Sequence, residues 1–370
     1  MKIFILTGIF PPDVGGPATY VPRLARACQD RGHDIEVLTL EASRSTSDSP
    51  DFDYPVHRWS RGKLSRLWQG TLNLPGRVRE SDCVYVNGLE WEHTVSRWNN
   101  NTPSVQKIVG DRSWERYRNN HRGDLTIDEF QSASVPFGTA IRRRIQHWMT
   151  QLNDRVIVPS HYLKSIVSKW GMDPDQIDVV YNNAHEPPEF DNTPIEWPGS
   201  GLQILNVGRL VPWKRVPDLI QTVSELNNGG MIVLGDGPER QRCEEAKSNN
   251  NVEDRVHLKG NVDRPTVFRH LSQCDVLVLH STYEGFPHIL LEALATGTPV
   301  LASASGGTRE LAEFFPEHIT TYPMDNTNQP FESLQNESFP DRYSPPDFPD
   351  PLQWDTIVDQ TIDCFRSLVS

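Results

Sequence analysis

Ile3-Phe4-Ile5-Leu6-Thr7 opens the chain as an apolar, β-branched run, and Ile35-Glu36-Val37-Leu38-Thr39-Leu40 repeats that texture after one helix-length segment. Between them lies the loop Ile9-Phe10-Pro11-Pro12-Asp13-Val14-Gly15-Gly16-Pro17. Val21, Leu24, Ala25 and Cys28 then fall at the i, i+3, i+4, i+7 spacing of an amphipathic helix. Gly32 is placed for its C-terminal cap. Strand, helix and strand in this span read as a βαβ unit, and such units build parallel sheets. No cleavage-site pattern follows the first run, so it reads as a strand and not a signal peptide.

Working outward, residues 83–86, 105–109 and 156–158 read as further strands of the first half. The second half repeats the pattern. Residues 202–207 form a strand, and Val216, Leu219, Ile220, Val223 and Leu226 stripe the helix after it. Residues 231–234, 256–258, 276–279 and 300–302 read as buried parallel strands separated by helices. Pro187-Pro188-Glu189-Phe190-Asp191-Asn192-Thr193-Pro194, extending to Gly201, is proline-rich, polar and aperiodic, which suits a linker. Residues 325–351 are rich in Pro, Asp, Asn and Ser and read as loop. Ile357, Thr361, Cys364 and Leu368 then lie along one side of a last helix. The expected organisation is α/β, with two Rossmann-like doubly wound domains facing across a cleft. Residues 1–186 form the first, 187–201 the linker, 202–350 the second, and 351–370 a closing helix. A length of 370 residues suits two such units.

Composition excludes several classes. A net charge of -13 argues against non-specific nucleic-acid binding. No stretch is apolar for long enough to cross a bilayer. The five cysteines are scattered with no Cys-x-x-Cys pair, so neither zinc nor a disulfide framework is indicated, and reduced thiols in a cytoplasmic protein are expected.

Chemistry concentrates at the ends of strands in the second half. After the strand at 202–207 comes Gly208-Arg209-Leu210-Val211-Pro212-Trp213-Lys214-Arg215. A diphosphate ester gains charge as its bond to a sugar breaks, and two fixed cations, Arg209 and Lys214, would stabilise that charge. The alternative is a solvated basic loop. After the strand at 276–279 comes Glu284-Gly285-Phe286-Pro287-His288-Ile289-Leu290-Leu291-Glu292. Apart from His288, Glu292 is the only charged or titratable residue between Gly285 and Thr308. A carboxylate inside an apolar helix is costly unless hydrogen-bonded, so ribose hydroxyls are one partner for it and a buried arginine is the other. Glu284 would accept from hydroxyls of a transferred sugar, with Gly285 allowing close backbone approach. Gly15 and Gly16 permit approach to an anion or serve simply as a flexible turn. Gly235-Asp236-Gly237-Pro238 reads as a tight strand-to-helix turn and lacks the third glycine of a dinucleotide fingerprint, which counts against a dehydrogenase.

The chain resembles the retaining glycosyltransferases of family 4, which have the GT-B fold. The resemblance rests on Phe10 to Gly16, Val158-Pro159-Ser160, Asn206-Val207-Gly208-Arg209-Leu210 with Lys214, the Glu284 and Glu292 spacing, and Gly306-Gly307-Thr308-Arg309-Glu310. It implies that Arg209 and Lys214 hold the donor diphosphate and Glu292 the ribose. Glu284 with the Gly285-Phe286 backbone would hold the donor sugar. It also implies that Gly16 closes on the diphosphate from the opposite domain and that the last helix crosses back onto the first domain. The implied reaction moves a sugar from a nucleoside diphosphate donor to a hydroxyl of a glycan or lipid-linked acceptor with retention, without metal or cofactor. Relatives often carry a His after the strand at 105–109. Here Gly110-Asp111-Arg112-Ser113-Trp114-Glu115 follows, so Asp111 is the acceptor-side candidate, with a loop-turn Asp satisfied by its own backbone as the alternative. After Glu310, His318-Ile319-Thr320-Thr321-Tyr322-Pro323 departs from the pattern of the family and leaves the far end of the second domain open.

Two basic-aromatic stretches raise peripheral contact with the inner membrane face. One is Arg58, Trp59, Arg61, Lys63, Arg66 and Trp68. The other sets Ile141, Ile145, Trp148 and Leu152 beside Arg142, Arg143 and Arg144. A core-facing helix with solvated arginines is the alternative for the second. The rival functions are a nucleotide-sugar-binding partner subunit without turnover and an epimerase or phosphorolytic enzyme on the same fold.

Overall fold

The computed structural model describes residues 1–13, 15–41, 51–62, 73–97, 100–120, 123–183, 187–324, 332, 334 and 342–369. Val14, Lys63, Arg66, Trp68 and most of residues 325–341 fall outside them. Two wholly parallel sheets organise the chain. The first contains β1 (Lys2–Thr7), β2 (Asp34–Leu40), β3 (Val56–Trp59), β4 (Cys83–Asn87), β5 (Ser104–Lys107), β6 (Arg155–Val158) and β7 (Ile177–Val179), in the order β3-β2-β1-β4-β5-β6-β7. The second contains β8 (Leu202–Val207), β9 (Gly229–Leu234), β10 (Val256–Gly260), β11 (Val276–Leu279), β12 (Val300–Ser303) and β13 (Ile319–Tyr322), in the order β10-β9-β8-β11-β12-β13. Ile3 sits between Ile35 and Cys83 in the first sheet, and Ile204 between Met231 and Val276 in the second. Helices cover both faces, which is why central strands such as β1, β11 and β12 are largely apolar.

Local sequence explains the helix starts. Ser160 caps the helix His161–Ser168 by accepting from Leu163 N at 3.1 Å, and Thr126 with Glu129 forms a full capping box on Ile127–Ser132. The strand expected over 105–109 ends at Lys107, and Val109 is exposed ahead of Gly110. The departing stretch 318–323 does form a strand: Ile319 and Tyr322 are buried, and β13 pairs with β12 at the sheet edge.

Residues 187–197 pass between the sheets without helix or strand. The helix Trp354–Val369 packs on the first sheet, placing Ile357, Val358, Ile362 and Phe365 in one core cluster with Ile3, Ile5, Val21 and Leu24. Arg31 clamps it by ion pairs to Asp355 at 2.9 Å and Asp359 at 2.6 Å. A second shared core joins the halves, where Trp114 lies 5.2 Å from both Trp213 and Tyr283. Among the described residues no helix is long and apolar enough to cross a membrane. All five cysteines are free and buried.

Candidate active site

The strand order of the second sheet reverses between the parallel neighbours β8 and β11, so the loops leaving their carboxyl ends flank a crevice. The β8 loop carries Arg209 and Lys214. Gly208 N donates to Leu234 O at 2.9 Å and Leu210 N to Asp236 O at 3.0 Å, strapping this loop to the turn after β9. Gly235 makes the strap possible: it sits at φ +137°, and a Cβ there would lie 1.9 Å from Gly208 O. The stretch Gly235 to Pro238 is therefore a brace beneath Arg209. The loop ends in the short turn Pro212–Lys214, and Thr282 N donates to Trp213 O at 2.7 Å, tying it to the β11 loop.

Across that tie the Lys214 ammonium pairs with the Glu284 carboxylate. Their side chains are only 16% and 10% exposed, so each is the other's main compensation for burial. Arg209, on the same loop, is exposed, and its charge acts on Glu115 of the first half. Burial raises the Glu115 carboxyl above its usual range while Arg209 opposes the shift.

The backbone from Glu284 to Phe286 is gripped from both halves. Gly307 N donates to Glu284 O at 2.8 Å, Ser160 Oγ to Gly285 O at 2.7 Å, and Asn182 Nδ2 to Phe286 O at 2.9 Å. Pro287 then caps the helix His288–Ala295. Glu292 lies along that helix, 3.0 Å from Arg264. Burial pushes its carboxyl up, and Arg264 pulls it back. The arginine partner left open beside the ribose role is thus present. His288 is half-buried; burial, with Lys107 adding, pushes it down to about 4, so it is neutral at pH 7.

Gly15 and Gly16 open the helix Gly16–Asp30 at the carboxyl end of β1, in the other half. A Cβ at Gly16 would meet nothing within 4 Å, so packing alone does not demand glycine there. Asp111 requires a correction. Its carboxylate is fully buried and caps the helix Arg112–Asn119, accepting from Ser113 N at 2.9 Å and Trp114 N at 3.0 Å. Gln146 and Gln131 donate to it as well, at 3.1 and 3.0 Å. Four protein donors occupy its oxygens, so it positions a helix and has little capacity left for an acceptor.

Sequence reasoning missed Arg264, Glu115 and the bridging role of Glu310. The Glu310 carboxylate accepts from His161 N at 2.9 Å and Tyr181 OH at 2.7 Å, joining the two halves. Only an Asp directly ahead of a helical pattern, the capping signal at Asp111, was readable locally. A cavity of about 800 Å³ between the halves, lined by Tyr162, Tyr181, Ser305 and Glu310 among others, reaches the β11 loop at Thr282; neither Lys214 nor Glu284 lines it.

Residues 189–315 match the family model described as glycosyl transferases group 1, and residues 15–183 match that of a glycosyl transferase 4-like domain. The 2-deoxystreptamine N-acetyl-D-glucosaminyltransferase of Streptomyces fradiae is 33% identical, over 84% of this chain and 82% of that protein. The chain belongs to the group 1 glycosyltransferases. The N-acetyl-alpha-D-glucosaminyl L-malate synthase of Bacillus anthracis is similar to this glycosyltransferase at 30% identity, over 82% of this chain and 79% of that one. Anabaena HepE, solved in complex with UDP and glucose, superposes with a TM-score of 0.66 at 18% identity, over 99% of this chain and 95% of that one. Two facing Rossmann-like units in this arrangement are the GT-B fold.

Proposed function

We propose that this glycosyltransferase transfers a sugar from a nucleoside diphosphate donor to a hydroxyl of a glycan or lipid-linked acceptor, with retention at the anomeric carbon. The Lys214–Glu284 pair at the β8/β11 reversal is the observation that carries the reading. A lysine ammonium has three N–H groups, so one held by Glu284 leaves two for phosphate oxygens. Arg209 adds a planar fork on the same loop. As the bond from C1 to the diphosphate oxygen breaks, these cations take up the growing charge, the role a divalent ion fills elsewhere. The second Glu284 oxygen accepts from a sugar hydroxyl, Gly285 and Phe286 line the sugar, and Glu292, oriented by Arg264, takes the ribose. Gly15 and Gly16 close on the diphosphate from the other half. The acceptor oxygen bonds to C1 on the face that the diphosphate leaves, and its proton passes to the departing phosphate oxygen. No metal or cofactor is called for. Support for the donor class comes from the UDP and glucose bound by HepE.

The test is a panel of uridine, guanosine and adenosine diphosphate sugars, scored for diphosphate release with glycan and lipid extracts. Proton NMR of the product reads its anomeric configuration. Donor binding without release would identify a non-catalytic partner subunit, and an inverted product would overturn retention.

Membrane contact is favoured by one surface. On the helix Phe137–Gln151, Phe137 is 82% and Trp148 50% exposed, with exposed Ile141 and Arg144 between them. Trp59, by contrast, is buried, and Arg61 pairs with Asp13. We assign the Phe137–Trp148 stripe to an anionic lipid surface. Co-sedimentation with vesicles that ignores anionic lipid, or survives Trp148→Ser with Phe137→Ser, would remove the assignment.

A further inference from the structure

The two faces of the second sheet carry different helices. On one face Leu205 and Leu277 pack with Leu271, Leu290 and Leu294, from the helices that bear Arg264 and Glu292. On the other face Ile204 and Val276, the alternate residues of the same strands, pack with Leu219, Ile220 and Cys243 of the helices Val216–Glu225 and Arg240–Asn249. At the amino ends of these last two helices lies a cavity of about 740 Å³, behind the donor crevice. The first half contributes Arg118 and Asp124 to it, and the second half Arg215, Asp218, Glu239 and Arg242. Arg215 is matched by Asp218, and Arg242 by Glu239. Arg118 is matched poorly. Its side chain is 10% exposed, and its Nε has no hydrogen-bond partner among the described residues. The carboxylate beside it, Asp124 at 3.3 Å, is fully exposed. A counter-charge standing in water compensates little, and a buried guanidinium is costly without a good one. Its place in the last turn of the helix Arg112–Asn119 offsets only part of that cost.

We propose that this rear cavity is a second anion site, separate from the donor crevice, and that it takes a small phosphomonoester between Arg118 and Arg215. Three features select the ligand. A guanidinium presents a planar fork that matches phosphate oxygens. A phosphomonoester carries about −1.5 to −2 charge at pH 7, more than the single charge of Asp124, which it displaces into solvent. The cavity falls within the ~300–1,000 Å³ of small-molecule sites, so it has room for the organic part of the ester. The position gives the site a use. Arg215 directly follows Lys214, and Thr282, from the loop that carries Glu284, lines the same cavity. A phosphate held by Arg118 of one half and Arg215 of the other ties the halves together behind the Lys214–Glu284 pair. The ester is thereby an effector that braces the β8 loop. Binding at the cavity does not depend on the donor assignment; the value of bracing that loop does.

Calorimetric titration of the full chain with glucose 1-phosphate, glycerol 3-phosphate and inorganic phosphate tests this, with methyl glucoside and sodium chloride at matched ionic strength as controls. At least one ester should bind where the controls do not. Lys214→Met with Glu284→Gln removes the donor pair and should leave that affinity within about threefold, whereas Arg118→Met should weaken it about tenfold or more. Arg215→Gln should weaken it several-fold, and it reads the same loss should Arg118→Met fold poorly. Because Arg118 is poorly compensated, Arg118→Met should melt no lower than the native protein without phosphate. Hydrogen exchange at the amides of Lys214, Arg215 and Val216 should slow several-fold in the loaded native protein. Titration of UDP, GDP and ADP on the native chain reports the donor reading separately, and no diphosphate binding would sink that reading alone. The proposal is overturned if no ester binds beyond the controls, if inorganic phosphate binds more tightly than every ester, or if binding survives both arginine variants. Loss of binding in the donor-pair variant would place the phosphate in the front crevice and overturn it too, and unchanged exchange would overturn the bracing role.

Discussion

Replacing Glu284 by Gln removes one charge from the Lys214–Glu284 pair while keeping its volume. Lys214 then keeps a buried ammonium without a counter-charge. Breaking one side of a buried pair costs about 3–5 kcal/mol. Residual exposures of 16% and 10% allow some solvent compensation, so about 2–3 kcal/mol is expected here. For 370 residues unfolding together that corresponds to a fall of roughly 3–4 °C in melting temperature. Turnover should drop roughly 10²-fold, the loss typical of one transition-state charge partner, equivalent to about 2.7 kcal/mol. Lys214→Met should behave alike in both respects. The double variant separates the two roles. With both charges gone the stability penalty largely cancels, to within about 1 kcal/mol of the native protein. Turnover stays depressed, because the groups that meet the donor are still missing. Thermal unfolding followed by circular dichroism and nucleoside diphosphate release from the donor panel are the two readouts. If activity returned together with stability in the double variant, the pair would be scaffolding and the catalytic assignment would fail. Turnover within about threefold of native in either single variant would refute it as well.

Three further outcomes follow from the same geometry. Arg264→Ala strands the Glu292 carboxylate and should cost about 1–2 kcal/mol, discounted because Arg264 is partly exposed; adding Glu292→Gln should restore stability yet weaken UDP, GDP or ADP binding, and unaltered nucleotide affinity would remove the ribose role. Glu310→Ala deletes the acceptor for His161 N and Tyr181 OH and should destabilise by about 1–3 kcal/mol, with an unchanged melting temperature counting against its bridging role. Burial lowers His93 to about 3 and His147, His280 and His288 to about 4 from an ordinary 6.5. Each binds its proton more readily when unfolded, so this stability is complete above pH 6.5 and is lost as pH falls toward 4, at up to about 1.4 kcal/mol per pH unit per histidine; stability that is flat from pH 6.5 to 4.5 in urea titrations would contradict these burials.

The strands that escaped sequence reading share a position. β3, β7 and β13 are all edge strands, and their sequences, Val-His-Arg-Trp, Ile-Asp-Val and Ile-Thr-Thr-Tyr, mix polar with apolar residues. A central strand of a doubly covered sheet is enclosed on every side and reads as an unbroken apolar run; an edge strand keeps one flank toward solvent and loses that signature. The candidate site divides in a comparable way. Arg209 with Lys214, and Glu284 with Glu292, were visible because each couple lies in one short segment after one strand. The pairing of Glu292 with Arg264, and the influence of the Arg209 charge on Glu115, depend on how separate elements pack, and spacing along the chain carries no trace of either. Asp111 was offered as an acceptor-side candidate with a loop Asp satisfied by its own backbone as the alternative, and the bonds from Ser113 N and Trp114 N favour the alternative; an Asp directly ahead of a helical pattern is the ordinary capping signal.

The two strand-order reversals explain why one face of the cleft was legible and the other was not. A diphosphate must be met by charge, and charges placed after buried strands stand out against apolar surroundings, as at Arg209 and Lys214. A place where two backbones touch carries no such charge signal. Gly8 and Gly88 form one, and each alone resembles ordinary loop sequence. Their meaning comes from β1 and β4 being neighbours in the sheet although a long stretch of chain separates them.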